Sequence, residues 1–313
     1  MSIPIEVINS LKSLPCFTEI QAISLLANGL SQTAIKVTTA SQVFFAKKLN
    51  DETAHTEVSC ALFFTRKGTE QDTKQPLSPS VIYHDQRWLV TEFINGITLA
   101  ESQLNNELKT SAALVLMAKL HQLPTAAFKQ AIAPLDPTQS VKYLLTNPSP
   151  FLAQHRRLLD KVTKSLSSHI NRSIESAKSP SVLCHGDINF TNILLDVEQG
   201  TWLIDFECAH LAPVEFDLAM FIAINNIADG KIAEVINDYG KLVASYQPNK
   251  QLLYYFILYS FYINGLWYFD NINELESDNL LYTLAIEQWS AFDRFATEHS
   301  ILLPKLMSVV VDD

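Results

Sequence analysis

Val182-Leu-Cys-His-Gly-Asp-Ile-Asn-Phe-Thr-Asn-Ile-Leu-Leu-Asp196, a turn at Gln199-Gly200, and then Trp202-Leu-Ile-Asp-Phe-Glu207 form the stretch whose reading decides the fold. Its two short apolar runs, Ile193–Leu195 and Trp202–Ile204, are separated by turn residues, a pattern that predicts a small hairpin. Asp187 and Asn192 precede the first run, and Asp205 follows the second. Folded this way, two carboxylates and an amide oxygen converge at one end of a sheet. Hard oxygen donors so arranged suit magnesium and phosphate chemistry.

The 313 residues leave room for two lobes, and a chain that is 48% hydrophobic and 18% charged has the apolar content for real cores. A formal charge of −10 excludes a broad nucleic-acid-binding face, which would be basic. The same charge is compatible with a cationic substrate, although acidity for solubility alone is the plainer account. Cys16, Cys60, Cys184 and Cys208 show no zinc-type spacing and read as buried thiols of a reducing compartment. The N-terminus carries no secretory pattern, and the apolar stretch Tyr254–Phe269 is shorter than a membrane span and interrupted by Ser260, Asn264 and Gly265. The expectation is a cytoplasmic protein without a membrane span. No oligomeric state follows from these features.

Outward from the hairpin, apolar spacing predicts an opening helix with Val7, Leu11 and Leu14 on one face, and strands at Ala34–Val37 and Val43–Lys47. Gly29, in the turn before these strands, belongs to neither a GxGxxG loop nor a Walker A motif. Asp51–Phe64 reads as a helix carrying Glu57, and strand alternation puts Phe45 and Lys47 on one face with Lys48 on the other. A second hairpin is expected around His84-Asp85-Gln86, leaving through Glu92-Phe-Ile-Asn-Gly96. Beyond it the chain is mainly helical. The predicted helices include Glu107–Leu120 (ending near His121), Phe151–Ala177 with a solvated face of Arg156, Arg157, Lys161 and Lys164, a helix starting at Phe216 with Asp217 in its first turn, and an aromatic-rich region at Gln251–Phe295.

The segments His185-Gly-Asp-Ile-Asn-Phe-Thr-Asn192 and Ile204-Asp-Phe-Glu207 resemble the aminoglycoside phosphotransferase and choline kinase superfamily, small-molecule kinases with a protein-kinase-like fold. Asn28-Gly-Leu-Ser-Gln32, Lys47, Glu57, the linker ending at Gly96, Leu120-His121 and Phe216-Asp-Leu-Ala219 extend the resemblance over most of the chain. The glycine-leucine-serine loop and the D-x-E tail are nearest the choline, ethanolamine and thiamine kinase branch. The sequence departs from the pattern at Asn189-Phe190-Thr191 and in the second lysine, Lys48.

The resemblance implies an α+β, bilobal protein-kinase-like fold, with a small β-rich N-terminal lobe at residues 1–96 that binds nucleotide and a larger helical C-terminal lobe at 97–313 that holds catalytic and substrate residues. It implies an ATP- and magnesium-dependent transfer of the γ-phosphate to the hydroxyl of a small, cationic molecule. Asp187 is the expected base, and Asn192 and Asp205 the magnesium ligands. Lys47, Glu57, Gly29, Ser31, Glu92 and Ile94 are the expected nucleotide residues, the last two through a crossing strand whose backbone serves the adenine. Glu207, either a metal contact or substrate-facing, joins Trp267 and Asp270 as candidate acceptor residues, and the aromatics Tyr255, Tyr259, Tyr262 and Trp267 are weighed as either a cation box or helix packing. Alternatives are an aminoglycoside or other metabolite-alcohol kinase, and a nucleotide-binding module of this fold without turnover.

Overall fold

In the computed structural model the described residues are 3–26, 34–67, 76–128, 131–272 and 279–310. The chain opens with α1 (Ile5–Lys12), then β1 (Ile20–Leu25), β2 (Ala34–Thr39), β3 (Val43–Lys48), α2 (Ala54–Lys67), β4 (Val81–His84), β5 (Trp88–Glu92) and β6 (Gly96–Thr98). Next come α3 (Asn106–His121), α4 (Pro137–Leu144), α5 (Pro150–Gln154), α6 (Arg156–Ala177) and β7 (Ser181–Cys184). The remainder is β8 (Ile193–Asp196), β9 (Thr201–Leu203), β10 (His210–Pro213), α7 (Val214–Ile224), α8 (Ile232–Leu242), α9 (Lys250–Asp270) and α10 (Leu280–Glu298).

These elements form two compact units. One comprises residues 1–120, 126–132 and 190–209; the other comprises 121–125, 133–189 and 210–313. The partition is discontinuous, whereas the sequence reading placed one boundary at Gly96: the hairpin β8–β9 groups with the N-terminal strands.

The first unit is built on an antiparallel sheet of order β1-β2-β3-β5-β4. Alternation in β3 sends Phe44 and Ala46 into a core with Leu11, Leu14, Ile35, Val37, Trp88 and Val90, so α1 covers that face. The Trp88 indole N–H donates to Ser10 Oγ at 2.9 Å, which fixes α1 against the sheet. On the other face Ala61 of α2 packs with Leu49 and Leu89. The strand β1 has no counterpart in the sequence reading, because its IQAISL edge buries little and lacks clean alternation. The predicted hairpin is β8–β9, and it gains a third, unforeseen strand, β6, which pairs antiparallel with β8.

In the second unit α9 is the central element, packed by α6, α7 and α10. It is apolar around nearly its whole circumference, as a buried helix must be. The α9–α10 contact is close because Gly265 lies against the Trp289 indole, where no Cβ fits. The single helix expected over 151–177 is broken at His155, whose Nδ1 meets the Phe151 carbonyl at 2.9 Å. A two-stranded β7–β10 ribbon flanks α7. Among the described residues no helix is long and apolar enough to cross a membrane. All four cysteines are free. Cys60 and Cys184 are buried as expected, Cys16 is half-buried, and Cys208 departs from expectation by being exposed.

Candidate active site

Lys47 is the penultimate residue of β3, on the face opposite the α1 core, and it is only 4% exposed. Its Nζ donates to both Glu57 oxygens, at 2.8 and 2.9 Å, and to Asp205 Oδ1 at 2.7 Å. Glu57 sits in the first turn of α2 and is 2% exposed. Burial opposes the charge on Lys47, but Asp205, Glu57 and Glu207 outweigh it and push the ammonium up. Burial also pushes the Glu57 carboxyl up, against the pull of Lys47 and with the help of Asp205 and Glu207.

Asp205 follows β9 with φ 70° and ψ 66°, a left-handed conformation that aspartate tolerates better than most side chains. That kink directs its carboxylate to Lys47. One short turn on, Glu207 receives a bond from the Thr53 hydroxyl at 3.4 Å, and burial, with Asp205 next, pushes its carboxyl up. One ligand oxygen from each of Glu57, Asp205 and Glu207 lies within 4.8 Å of the others. Three carboxylates around one ammonium make a cluster short of positive charge. Its hard oxygens fit a magnesium ion, with the amide oxygen of Asn192, at the entrance to β8, as a further donor.

Beside this cluster a cavity of about 270 Å³ is lined by Lys47, Glu57, Asn192 and Asp205 at one end. Its apolar wall includes Ala61, Leu89, Leu194, Ile204 and Phe206, and its rim carries Glu92, Phe93 and Ile94. The Glu92 carboxylate is occupied by the Ser80 N–H at 2.7 Å. Among the described residues no backbone hydrogen bond reaches Ile94, so its N–H and C=O are available at the rim. An apolar cavity lined by backbone donor and acceptor at Ile94 and by the Lys47 ammonium suits a heteroaromatic ring carrying phosphates.

In the second unit, the loop after β7 is organised by Asp217, which is 0% exposed. Its carboxylate accepts the N–H groups of His185 and Gly186, both at 2.7 Å, and faces His121 Nε2 at 3.0 Å. His121 Nδ1 in turn meets the Tyr239 hydroxyl at 2.8 Å. The Asp187 N–H donates to His185 Nδ1 at 3.3 Å, and Asn189 Nδ2 donates to Asp187 Oδ1 at 3.0 Å. Just past α7, Asn225 Nδ2 donates to the Ile188 carbonyl at 3.0 Å. Asp187 is thus presented by a loop held from both sides.

Comparison with known protein families matches residues 22–249 to the phosphotransferase enzyme family. The chain belongs to that family. Among curated proteins it is similar to the protein LicA homolog of Metamycoplasma hominis, 25% identical over 217 residues, which cover 67% of this chain and 78% of that one. Among solved structures it is similar to the choline kinase LicA of Streptococcus pneumoniae, with a TM-score of 0.66 and 14% identity over 95% of this chain and 97% of that one. It is also similar to a spectinomycin phosphotransferase solved with ADP and spectinomycin, with a TM-score of 0.58 and 17% identity over 96% of this chain and all of that one. At these identities the structures establish the shared kinase-like fold, a β-rich N-terminal region followed by a helical C-terminal one. The chain is accordingly a small-molecule kinase in class.

Within this phosphotransferase, Lys47, Glu57, Asp205 and Glu207 converge in one cluster, and Asn192, Glu92 and Ile94 join the first two and Asp205 around one cavity. Gly29 and Ser31 lie outside the described residues. Asp270 is engaged structurally: it accepts the Ser149 N–H at 2.8 Å, at the start of α5. Tyr255, Tyr259 and Tyr262 are buried, and Tyr262 is bonded to the Leu159 carbonyl, so these three pack helices rather than form a cation box. Trp267 is half-buried with its ring edge-on to Tyr268. The residue that sequence reasoning missed is Tyr268. Burial pushes its hydroxyl up, and the carboxylates of Asp187 and Glu287 push it further, so it lies within their electrostatic reach. No periodicity distinguishes it from its nine fellow tyrosines; only the rotation of α9 does.

Proposed function

We propose that this phosphotransferase moves the γ-phosphoryl group of ATP to the hydroxyl of a small cationic alcohol of the choline, ethanolamine or thiamine type. The nucleotide half of the reading is supported by the cavity of the first unit. Its apolar wall and Ile94 would take the ring, and Lys47, held straight by Glu57, would meet the phosphates. Asn192, Asp205 and Glu207 are the residues that would hold magnesium, which supplies positive charge to the phosphate oxygens when bound.

Asp187 orients the acceptor hydroxyl. As that oxygen forms its bond to the γ-phosphorus, the bond to the bridging oxygen of ADP breaks, and the hydroxyl proton passes to the Asp187 carboxylate. The acceptor class is supported by the field at Tyr268, whose half-buried hydroxyl lies within the electrostatic reach of Asp187 and Glu287. A negative field beside an aromatic side chain favours a cation over a neutral or anionic alcohol.

The test is acceptor-dependent ADP release over choline, ethanolamine, thiamine, neutral sugars and aminoglycosides. Cationic alcohols of small size are expected to stimulate release, and Asp187→Asn to lower kcat by ~10²–10⁴. Stimulation by aminoglycosides alone would overturn the acceptor class. Wild-type turnover of Asp187→Asn would overturn the assigned base.

A further inference from the structure

The helices α4 and α6 enclose a second cavity, of about 300 Å³, in the second unit and among residues that the phosphoryl-transfer reading does not use. Its floor is apolar, formed by the buried Val141 and Leu145. Its walls carry three cations, Lys142 from α4 and Arg156 and Lys164 from α6, against one carboxylate, Asp160. The other cations of α6, Arg157, Lys161 and Arg172, are exposed and do not line it, so the helix divides its charge between solvent and cavity.

The Arg156 guanidinium is fixed in place, Nε donating to Asp160 Oδ1 at 2.9 Å and Nη1 to the Leu145 carbonyl at 2.8 Å. Two of its five N–H donors are thereby used. Asp160 neutralises that one charge, which leaves two. Among the described residues neither Lys142 nor Lys164 has an ion-pair or hydrogen-bond partner for its ammonium. Ser167 lines the same cavity at 6% exposure, and among the described residues its hydroxyl has no hydrogen-bond partner either. That leaves the hydroxyl able to donate or accept within the cavity.

We propose that this cavity is a second ligand site, for a small phosphomonoester with an apolar body. A phosphomonoester carries about −1.5 to −2 charges at neutral pH and three acceptor oxygens. Its charge matches the two unneutralised lysines, and its oxygens match Lys142, Lys164, the free edge of Arg156 and Ser167. Its organic part lies on Val141 and Leu145. A molecule of that kind is either free in solution or presented by a membrane as the head group of phosphatidic acid.

Calorimetry with butyl phosphate on the full chain tests the site, using two variants with opposite expectations. Lys47→Met disables the nucleotide cavity and is expected to bind butyl phosphate as the wild type does. The double variant Lys142→Gln/Lys164→Gln, altered only at exposed positions, is expected to bind it at least ~10-fold more weakly, because two charge-assisted bonds are lost. n-Butanol is expected not to bind. Flotation with vesicles of phosphatidic acid in phosphatidylcholine, against phosphatidylcholine alone, reads out the membrane source, and retention that needs both lysines assigns the head group. Equal binding by the double variant, or loss of binding in Lys47→Met, would overturn the proposal, as would binding to neither butyl phosphate nor phosphatidic acid vesicles. The acceptor screen is independent of all these outcomes.

Discussion

At the scale of single residues, adjacent lysines have opposite fates. Lys47 is buried against Glu57 and Asp205, while Lys48, one position on, is exposed. Lys47→Ala removes the counter-charge from two carboxylates, and an uncompensated buried charge is expensive. The expected loss of stability is about 3 kcal/mol, the low end of the range for broken buried pairs, because the already raised Glu57 carboxyl can take up a proton. Lys48→Ala is expected to change stability by no more than about 0.5 kcal/mol. Urea midpoints of the two variants check this, and equal midpoints would contradict the burial difference.

At the scale of elements, the β8–β9 turn depends on Asp196. Its Oδ1 accepts the N–H groups of Glu198 and Gly200, at 2.8 and 2.7 Å, and its Oδ2 the Trp202 indole N–H at 2.8 Å. The Trp202 bond, helped by the two backbone bonds, holds its carboxyl below the usual carboxylate range. A depressed folded pKa stabilises above the unfolded value, and that stabilisation fades as pH falls through the folded one. The stability gap between wild type and Asp196→Ala is therefore expected to be full at pH 7 and to narrow below about pH 4. Thermal melts of both at two pH values measure it, and a gap that widens in acid would refute the assignment. On α9, Gly265→Ala gains helix propensity worth roughly 1 kcal/mol but forces a methyl into the Trp289 indole, for which overpacking costs about 1–3 kcal/mol. A net loss is expected, visible as a lower melting temperature.

At the scale of the whole molecule, the formal charge of −10 bears on the proposed cationic acceptor. Raising ionic strength from about 0.01 to about 0.15 M shortens the screening length from about 30 to about 8 Å. With nucleotide saturating, kcat/KM for such an acceptor is expected to fall several-fold over that range, and an unchanged value would remove the long-range attraction. Much of this molecule was legible from local pattern. The strand alternation that separates Lys47 from Lys48, the two apolar runs of β8–β9 and the uniformly apolar α9 each carry their structure in their own residues. What was not legible depends on contacts distant in sequence. The edge strand β1 lacks an alternating signature, and β6 is called into a sheet only by β8, about a hundred residues later. Asp217 can be read from sequence as a helix-start residue or as a brace of the catalytic loop, and only the His185 and Gly186 amides bonded to it decide for the brace. Trp267 and Tyr268 cannot be told apart before the rotation of α9 is known, and the pairing of Lys142 with Arg156 and Lys164 requires two helices to be brought together.

The Asp217 carboxylate has one more consequence. Residues 185–189 belong to no helix or strand, and a segment of that kind ordinarily exchanges its amide hydrogens with solvent within moments. Here two of those amides end on a carboxylate with no access to water. In deuterium the His185 and Gly186 positions should stay protonated on the timescale of core strands, and Asp217→Asn should release them first. The loop that presents Asp187 would then report, by its isotope content alone, whether the acidic brace beneath it is in place.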